Sequence, residues 1–154
     1  MVESNDQENK VNNILLVVED NEDDQLITKM AFKKDPNFQG EIYFVENGVE
    51  ALDFINNRNK FEDQEKYPDP DLILVDINMP QMNGLQFLDN IKTDPKHKKI
   101  PCIMLTSSQN KDDITSSYEK GASGYIAKPI SYTKFQDIVK IINEYWKFNI
   151  LPSK

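Results

Sequence analysis

The chain is predicted to fold as one α/β domain with a mostly parallel sheet and helices on both faces. Short apolar runs of strand length alternate five times with segments of helical periodicity. The strand-like runs are continuously apolar and β-branched, which is typical of strands buried on both faces. Right-handed crossovers between such units favour a parallel sheet. The length of 154 residues suits a single domain with a sizeable core.

Strands are predicted where apolar residues run together, and helices where they recur every third or fourth position. The predicted strands cover residues 14–18, 41–45, 72–75, 100–105 and 124–126. The predicted helices cover residues 21–34, 48–56, 84–92, 112–120 and a last helix from the capping Ser131 to about Trp146. The side chains expected to face the core are Leu26, Ile27, Met30 and Ala31 in the first helix, and Phe135, Ile138, Val139, Ile142 and Tyr145 in the last.

The domain is expected to span residues 13–146, between two tails. Residues 1–12 are polar, a composition typical of disordered termini, and residues 147–154 form a short C-terminal tail. Residues 57–70 form a polar insertion, which predicts a loop of unusual length for a compact domain.

Composition narrows the classes of function. The formal net charge of −8 disfavours nucleic-acid binding, which depends on neutralising phosphates. The basic run at residues 96–99 is expected to be a solvated loop with the only histidine, His97, at its surface. The absence of a bilayer-length apolar run and of a leader-like segment predicts no membrane partner and a cytoplasmic protein. The single cysteine, Cys102, agrees with a reducing compartment, and buried packing is favoured over a reactive thiol.

Polar residues follow the predicted strands at the edge where chemistry collects in such sheets. Glu19 and Asp20 follow the first strand, Asp76 the third, Thr106 with Ser107 the fourth, and Lys128 with Pro129 the fifth. Three clustered carboxylates repel one another unless a cation joins them. Mg²⁺ suits the set because it prefers oxygen ligands, with Asp20 and Asp76 binding directly, Glu19 through water, and the backbone carbonyl of Asn78 within reach. The alternative is that Glu19 and Asp20 only favour the start of the next helix.

Asp76 is the predicted nucleophile of a phosphoryl transfer, since a carboxylate can attack phosphorus and form an acyl phosphate. Thr106 and Lys128 are positioned to donate to the phosphoryl oxygens. The bond between Lys128 and Pro129 is a candidate for the cis isomer, which would aim the lysine at the pocket. The alternative is an ordinary surface lysine.

The motifs together resemble the receiver domain of two-component response regulators. The matching segments are residues 17–21, residues 74–80, the Asn83-Gly84 turn, residues 105–107, Gly121-Ala122 and residues 124–129. The resemblance covers roughly residues 13–146, and it implies a flavodoxin-like (βα)5 fold with strand order 2-1-3-4-5. It also implies that Asp76 is the phosphoacceptor, that Glu19 and Asp20 are the acid pair, and that a histidine kinase is the donor. Glu19 departs from the commoner aspartate.

The same resemblance implies a switch formed by Thr106, Tyr125 and Pro129. Phosphorylation is expected to draw Thr106 toward the phosphoryl group and to let Tyr125 rotate inward, with a simple half-buried aromatic as the alternative for Tyr125. The insertion, the segment 92–101 and the aromatic C-terminal end are similar to single-domain regulators paired with phytochrome kinases. Such relatives suggest a homodimer through the fourth helix, fifth strand, fifth helix and tail. The aromatic residues Tyr132, Phe135, Tyr145, Trp146 and Phe148 are consistent with such a face or with core packing alone.

Three other classes of function are less consistent with the sequence. An aspartate-nucleophile phosphatase of the haloacid dehalogenase type needs a second aspartate at the position of Asn78. A non-phosphorylated pseudo-receiver scaffold usually lacks the acid pair, the acceptor or the lysine. A flavin-binding relative would have a phosphate-binding loop after the first strand. The protein is therefore expected to catalyse only its own phosphorylation and dephosphorylation.

Overall fold

The computed structural model describes residues 13–148, and of Phe148 only the backbone. The expected tail 1–12 and residues 149–154 lie outside the described residues. The strands are β1 (Ile14–Val18), β2 (Glu41–Val45), β3 (Leu72–Val75), β4 (Cys102–Thr106) and β5 (Gly124–Ala127). All pairings are parallel, in the order β2-β1-β3-β4-β5. The predicted fold class and strand order are confirmed.

The helices are α1 (Glu22–Lys34), α2 (Gly48–Ile55), α3 (Gly84–Lys92), α4 (Lys111–Glu119) and α5 (Tyr132–Phe148). Helices α1 to α4 each follow an asparagine whose side chain accepts a first-turn N–H, which replaces a missing intrahelical partner. Helix α5 extends two residues beyond its expected end. Strand β4 begins later than expected because it follows Pro101, which has no N–H for the ladder.

Alternate residues of the central strands pack into two separate cores, one on each face of the sheet. Leu15 and Val17 face the core that includes Phe32 of α1 and Val139 of α5. Their neighbours Leu16 and Val18 face the core formed with α2 and α3. The buried Cys102 belongs to this second core, and burial raises the pKa of its thiol to about 11. Its predicted packing role is therefore confirmed.

The expected inward face of α1 is wrong at three of its four positions. Leu26, Ile27 and Met30 are exposed, whereas Ala31 and Phe32 are buried. The ring of Phe32 is fully buried and packs edge-on against Phe38, with centroids 5.3 Å apart. The helix is therefore rotated so that Phe32, the larger side chain, faces the sheet.

The inward face of α5 is confirmed at Phe135, Val139 and Ile142 but wrong at Tyr145, which is 68% exposed. Trp146 is buried in its place. These buried positions are spaced by four, three and four residues, which keeps them on one helical stripe. Tyr145 lies about 100° around the helix from Trp146, outside that stripe.

The predicted surface position of His97 is also wrong. Its side chain is 2% exposed, and Nδ1 lies 2.8 Å from Oδ2 of Asp94. The backbone N–H of His97 donates to the carbonyl of Asp94, so a turn folds the imidazole inward. The neighbouring Lys96, Lys98 and Lys99 are exposed.

The insertion after α2 is anchored by aromatic residues rather than being a plain polar loop. A short 3-10 helix (Asn59–Phe61) places Phe61 against Phe54, and Tyr67 packs against both rings. Asn57 holds the segment closed, because its side chain donates to the carbonyls of Phe61 and Tyr67. Within residues 13–148, no helix is long and apolar enough to cross a membrane.

Candidate functional site

The carboxyl ends of four strands meet around an open acidic cavity of about 570 Å³. Glu19 and Asp20 directly follow β1, Asp76 follows β3, Ser107 follows β4 and Lys128 follows β5. The first turn of α1 and the exposed Asn78 complete the wall. The structure therefore brings the predicted carboxylates and the predicted lysine into one site, as expected for parallel strands that end at the same edge.

The carboxylate of Asp76 is held in a defined orientation. The residue is 7% exposed, and its backbone N–H donates to the carbonyl of Val18 over 3.0 Å. Oδ1 accepts the N–H of Ile77 at 2.7 Å, and Oδ2 lies 3.1 Å from Nζ of Lys128. One oxygen is thus bound to the backbone while the other is directed to the lysine.

A glycine allows α3 to begin against the backbone of Asp76. A Cβ added at Gly84 would lie 2.1 Å from the carbonyl oxygen of Asp76, which is far inside van der Waals contact. The N–H of Gly84 donates to the carbonyl of Ile77 over 2.9 Å. Asn83 and Gln86 form a capping box that starts the helix at this point. The Asn83-Gly84 turn therefore supports the position of Asp76.

Lys128 lies at the centre of the charged groups. Its Nζ contacts the carboxylate of Glu19 and lies 2.9 Å from Asp24 and 3.1 Å from Asp76. Burial disfavours its charge, but hydrogen bonds to Glu19 and Asp24 outweigh that effect and raise the pKa of Lys128 above its usual value. The lysine is therefore a permanent cation in the site.

The expected cis bond before Pro129 is wrong, since the described residues contain no cis peptide bond. Lys128 reaches the site because β5 pairs with β4, and its backbone N–H donates to the carbonyl of Thr106 over 2.8 Å. The end of the strand therefore aims the side chain without a bend.

Glu19 is a buried acid of the site with a raised pKa. It is 4% exposed, and burial raises its pKa to about 7, against the opposing hydrogen bond from Lys128. The negative charge of Asp76 contributes to the same upward shift. Its Oε2 also accepts the N–H of Asn21 at 3.1 Å, so the carboxylate is held in place despite the charge repulsion.

The three carboxylates fit a divalent cation. One oxygen each from Glu19, Asp20 and Asp76 can be chosen so that all lie within 4.8 Å of one another. Asp20 is exposed, whereas the other two are buried, so the cluster opens to solvent on one side. Hard oxygen donors with room for water are the set that Mg²⁺ and similar ions prefer.

Two of the three predicted switch residues, Thr106 and Tyr125, meet at Ser108 rather than in the cavity. Thr106 is fully buried, and its hydroxyl accepts the N–H of Ser108 at 3.3 Å. Tyr125 is partly buried, and its hydroxyl donates to the carbonyl of Ser108 over 2.7 Å. The neighbouring Ser107 lines the cavity instead. The loop after β4 therefore connects Thr106 to Tyr125.

Sequence reasoning missed Asp24 as a partner of Lys128. The acids of the first turn of α1 were visible in the sequence, but an acid at a helix start is already favourable by itself. Only the contact of its carboxylate with Nζ of Lys128, the residue after β5, distinguishes Asp24 from its neighbours.

A parallel (βα)5 sheet with an acid cluster and a strand-end lysine at its carboxyl edge defines the class of phosphoryl-accepting receiver domains. The chain belongs to the response regulator receiver domain family, whose model matches residues 15–141. Membership of this family argues against the two alternative classes, the haloacid dehalogenase-type phosphatase and the flavin-binding protein. The partner of such a domain is a histidine kinase, and a divalent metal binds at its acidic cluster.

This chain aligns with nearly the full length of the relatives that it matches. The chain is 31% identical to the response regulator Rcp1 of Synechocystis sp. over 133 residues, which cover 86% of this chain and 88% of that one. It resembles the crystal structure of the phosphorylated cyanobacterial phytochrome response regulator RcpA, with 34% identity, a TM-score of 0.84 and coverage of 92% and 99%. The Mn²⁺-bound form of Rcp1 gives 30% identity, a TM-score of 0.82 and coverage of 92% and 100%.

Proposed function

We propose that Asp76 is the phosphoacceptor of this receiver domain, which occupies residues 13–146. The observation that carries the proposal is the position of Asp76, fixed by the N–H of Ile77 and directed at Lys128 in an open acidic cavity. An oxygen of Asp76 forms a bond to phosphorus while the bond from phosphorus to the kinase histidine nitrogen breaks. The product is a mixed anhydride, and the histidine nitrogen leaves with the electron pair.

Lys128 and Thr106 are the residues proposed to stabilise the phosphoryl oxygens. The ammonium of Lys128 already lies 3.1 Å from Oδ2 of Asp76, where a charge-assisted hydrogen bond can form. Thr106 ends β4 with a buried hydroxyl that accepts the N–H of Ser108 over a long distance of 3.3 Å. Its hydroxyl is therefore available to donate to a new acceptor at the site.

We propose Mg²⁺ as the cation, held by Glu19, Asp20, Asp76 and the backbone carbonyl of Asn78. When bound, it supplies positive charge that offsets the charge on the phosphoryl oxygens. Because Glu19 carries an extra methylene, it suits a water-bridged contact better than a direct one. The protein is proposed to act only on its own aspartate, because Asn78 stands where an aspartate phosphatase needs its general acid.

The switch is proposed to run from Thr106 through Ser108 to Tyr125 and Pro129. When Thr106 turns to the phosphoryl group, its contact with the N–H of Ser108 is lost, and Ser108 also holds the hydroxyl of Tyr125. The local charge change would thus reach the surface of α4, β5 and α5.

A homodimer through this surface is the proposed output. Tyr118 on α4, Ile130 before α5, and Ile141 and Tyr145 on α5 are exposed large hydrophobic side chains. Phe135 and Trp146 are buried and do not contribute, and the side chain of Phe148 lies outside the description. A second copy is the partner that would cover this face, and Tyr145→Ser should weaken its association in sedimentation experiments. If the wild type sediments as a monomer both with and without beryllofluoride, the proposed homodimer is contradicted.

The kinase is proposed to be a phytochrome, because RcpA, which is 34% identical to this chain, is described as a phytochrome response regulator. Neither nucleic acid nor a membrane is a proposed partner, given the formal net charge of −8. A cytoplasmic location is proposed because the single cysteine, Cys102, agrees with a reducing compartment.

The test is incubation with acetyl phosphate and Mg²⁺, followed by intact-mass measurement. The wild type should gain the mass of one phosphoryl group, and Asp76→Asn should gain none. Asp137→Asn, which alters an exposed acid of α5, serves as the matched control and should be labelled like the wild type. Equal labelling of the Asp76→Asn protein would contradict the assignment.

A further inference from the structure

Lys128 has one contact that its proposed role does not require. Its Nζ lies 2.9 Å from Oδ2 of Asp24, which is closer than its 3.1 Å distance to Asp76. Asp24 stands outside the carboxylates that can gather around a cation in the described part of the chain, which are Glu19, Asp20 and Asp76. The contact therefore needs an explanation of its own.

The start of α1 determines the position of Asp24. Its N–H donates to the capping side chain of Asn21 over 2.9 Å, and its carbonyl accepts the hydroxyl of the buried Thr28 at 2.8 Å. The backbone N–H and the carbonyl of Asp24 are therefore both held by hydrogen bonds within α1 and its cap. The side chain is 39% exposed and that of Lys128 only 19% exposed, so the pair spans the rim of the cavity.

The contact between Asp24 and Lys128 is important because Lys128 has a limited number of N–H donors. An ammonium has three N–H donors, and three carboxylates, those of Glu19, Asp24 and Asp76, each contact Nζ of Lys128. A phosphoryl group adds strongly accepting oxygens that need at least one of these donors. Asp76 then carries the phosphoryl group, and Glu19 belongs to the cation cluster. Asp24 is the carboxylate left to compete with the phosphoryl oxygens for the lysine.

We propose that Asp24 is a positioning residue that holds Lys128 at the rim of the site, competes with the phosphoryl group for its ammonium, and so restrains phosphorylation of Asp76. The proposal rests on the proposed function, in which Asp76 is the acceptor. Asp24 also adds a negative charge beside the path of an anionic donor, and that charge acts in the same direction.

The test compares Asp24→Asn with the control variant Asp137→Asn. Both substitutions remove one carboxylate charge, but Asp137 is an exposed acid of α5 that does not line the cavity, whereas Asp24 contacts Lys128. The readouts are the initial rate of labelling by acetyl phosphate with Mg²⁺, and the dissociation constant of beryllofluoride from fluorine NMR. We expect Asp24→Asn to label about three- to tenfold faster and to bind beryllofluoride about three- to tenfold more tightly, since a charge-assisted competitor is removed. Asp137→Asn should stay within about twofold of the wild type, because an exposed charge far from the cavity is screened.

The variant Asp24→Glu separates competition from folding effects. It keeps the charge within reach of Lys128, so its rate and affinity should return toward those of the wild type. Equal effects of Asp137→Asn and Asp24→Asn, or no effect of Asp24→Asn, would overturn the proposal while leaving Asp76 as acceptor. A wild type that binds no beryllofluoride and gains no phosphoryl mass would overturn the proposed function and this proposal together.

Discussion

The two ends of the sheet bury carboxylates in different ways. At the amino end, Asp71 accepts the backbone N–H of Ile14 at 2.8 Å, and Asp35 accepts the side-chain amide of Asn143 at 2.8 Å. Those donors are neutral and belong to the architecture, since they join β1 to the segment before β3 and α1 to α5. At the carboxyl end, Glu19 and Asp76 contact the same lysine.

The difference lies in how many charges each donor must serve. A buried carboxylate is tolerated when hydrogen bonds replace its water. At the amino end, the N–H of Ile14 and the side-chain amide of Asn143 are among the donors that do so, and the result is structural. The carboxyl end gathers carboxylates around one ammonium and leaves excess negative charge, which a bound cation can balance. The first arrangement stabilises the fold, whereas the second prepares a site for chemistry.

The largest expected effect is that of Gly84→Ala, which would damage the carboxyl end alone. The added methyl group would meet the carbonyl oxygen of Asp76 at 2.1 Å, so α3 or the acceptor must move. We expect a loss of about 3 kcal/mol in the free energy of unfolding, the upper part of the range for overpacking, together with slower labelling of Asp76. Urea denaturation and intact mass measure the two effects.

Gly124→Ala is the matched control for that substitution. A Cβ at Gly124 would lie 3.8 Å from the nearest atom of Ile103, which is an ordinary contact. It should be nearly neutral in both measurements. A Gly84→Ala protein as stable and as readily labelled as Gly124→Ala would show that the close approach at Asp76 can relax.

The next effect in size is that of Asp71→Ala at the amino end. The substitution removes the acceptor of the N–H of Ile14, and a buried donor without a partner costs about 2 kcal/mol. Labelling under native conditions should be unchanged, because the site lies at the other end of the sheet. Asp137→Ala removes an exposed acid and should change neither quantity. A labelling defect in stable Asp71→Ala protein would contradict the separation of the two ends.

The smallest effect is a pH dependence that arises at the carboxyl end. Burial raises the pKa of Glu19 from 4.5 to about 7 in the fold, so the folded state binds this proton more tightly than the unfolded chain. Its contribution is complete below pH 4.5 and is lost as the pH rises through about 7. With a chelator present, stability should fall by about 1 kcal/mol between about pH 6 and pH 8.

Urea denaturation at each pH measures this slope. Glu19→Gln should flatten it, because the amide does not titrate, whereas Asp71→Ala should keep it. A slope that survives in Glu19→Gln, or one of opposite sign in the wild type, would assign the effect to other groups.

Much of this protein could be predicted from local pattern. Continuous apolar runs determine the strands, and the alternation of strands and helices determines a parallel sheet, because few other topologies bury both faces. A parallel sheet brings the ends of its strands to one edge, so Glu19, Asp20, Asp76 and Lys128 could be predicted to meet there.

Tertiary packing decided the rest. The rotation of α1, the exposure of Tyr145 and the burial of His97 depend on which side chain fills a given space, and periodicity alone does not encode that choice. The pairing of Asp24 with Lys128 joins residues 104 positions apart, one in the first turn of α1 and the other directly after β5. Residue type and spacing thus determined which groups reach the edge of the sheet, because strand direction is a local property. Their contacts were decided only by the folded structure, because those distances depend on how separate elements pack.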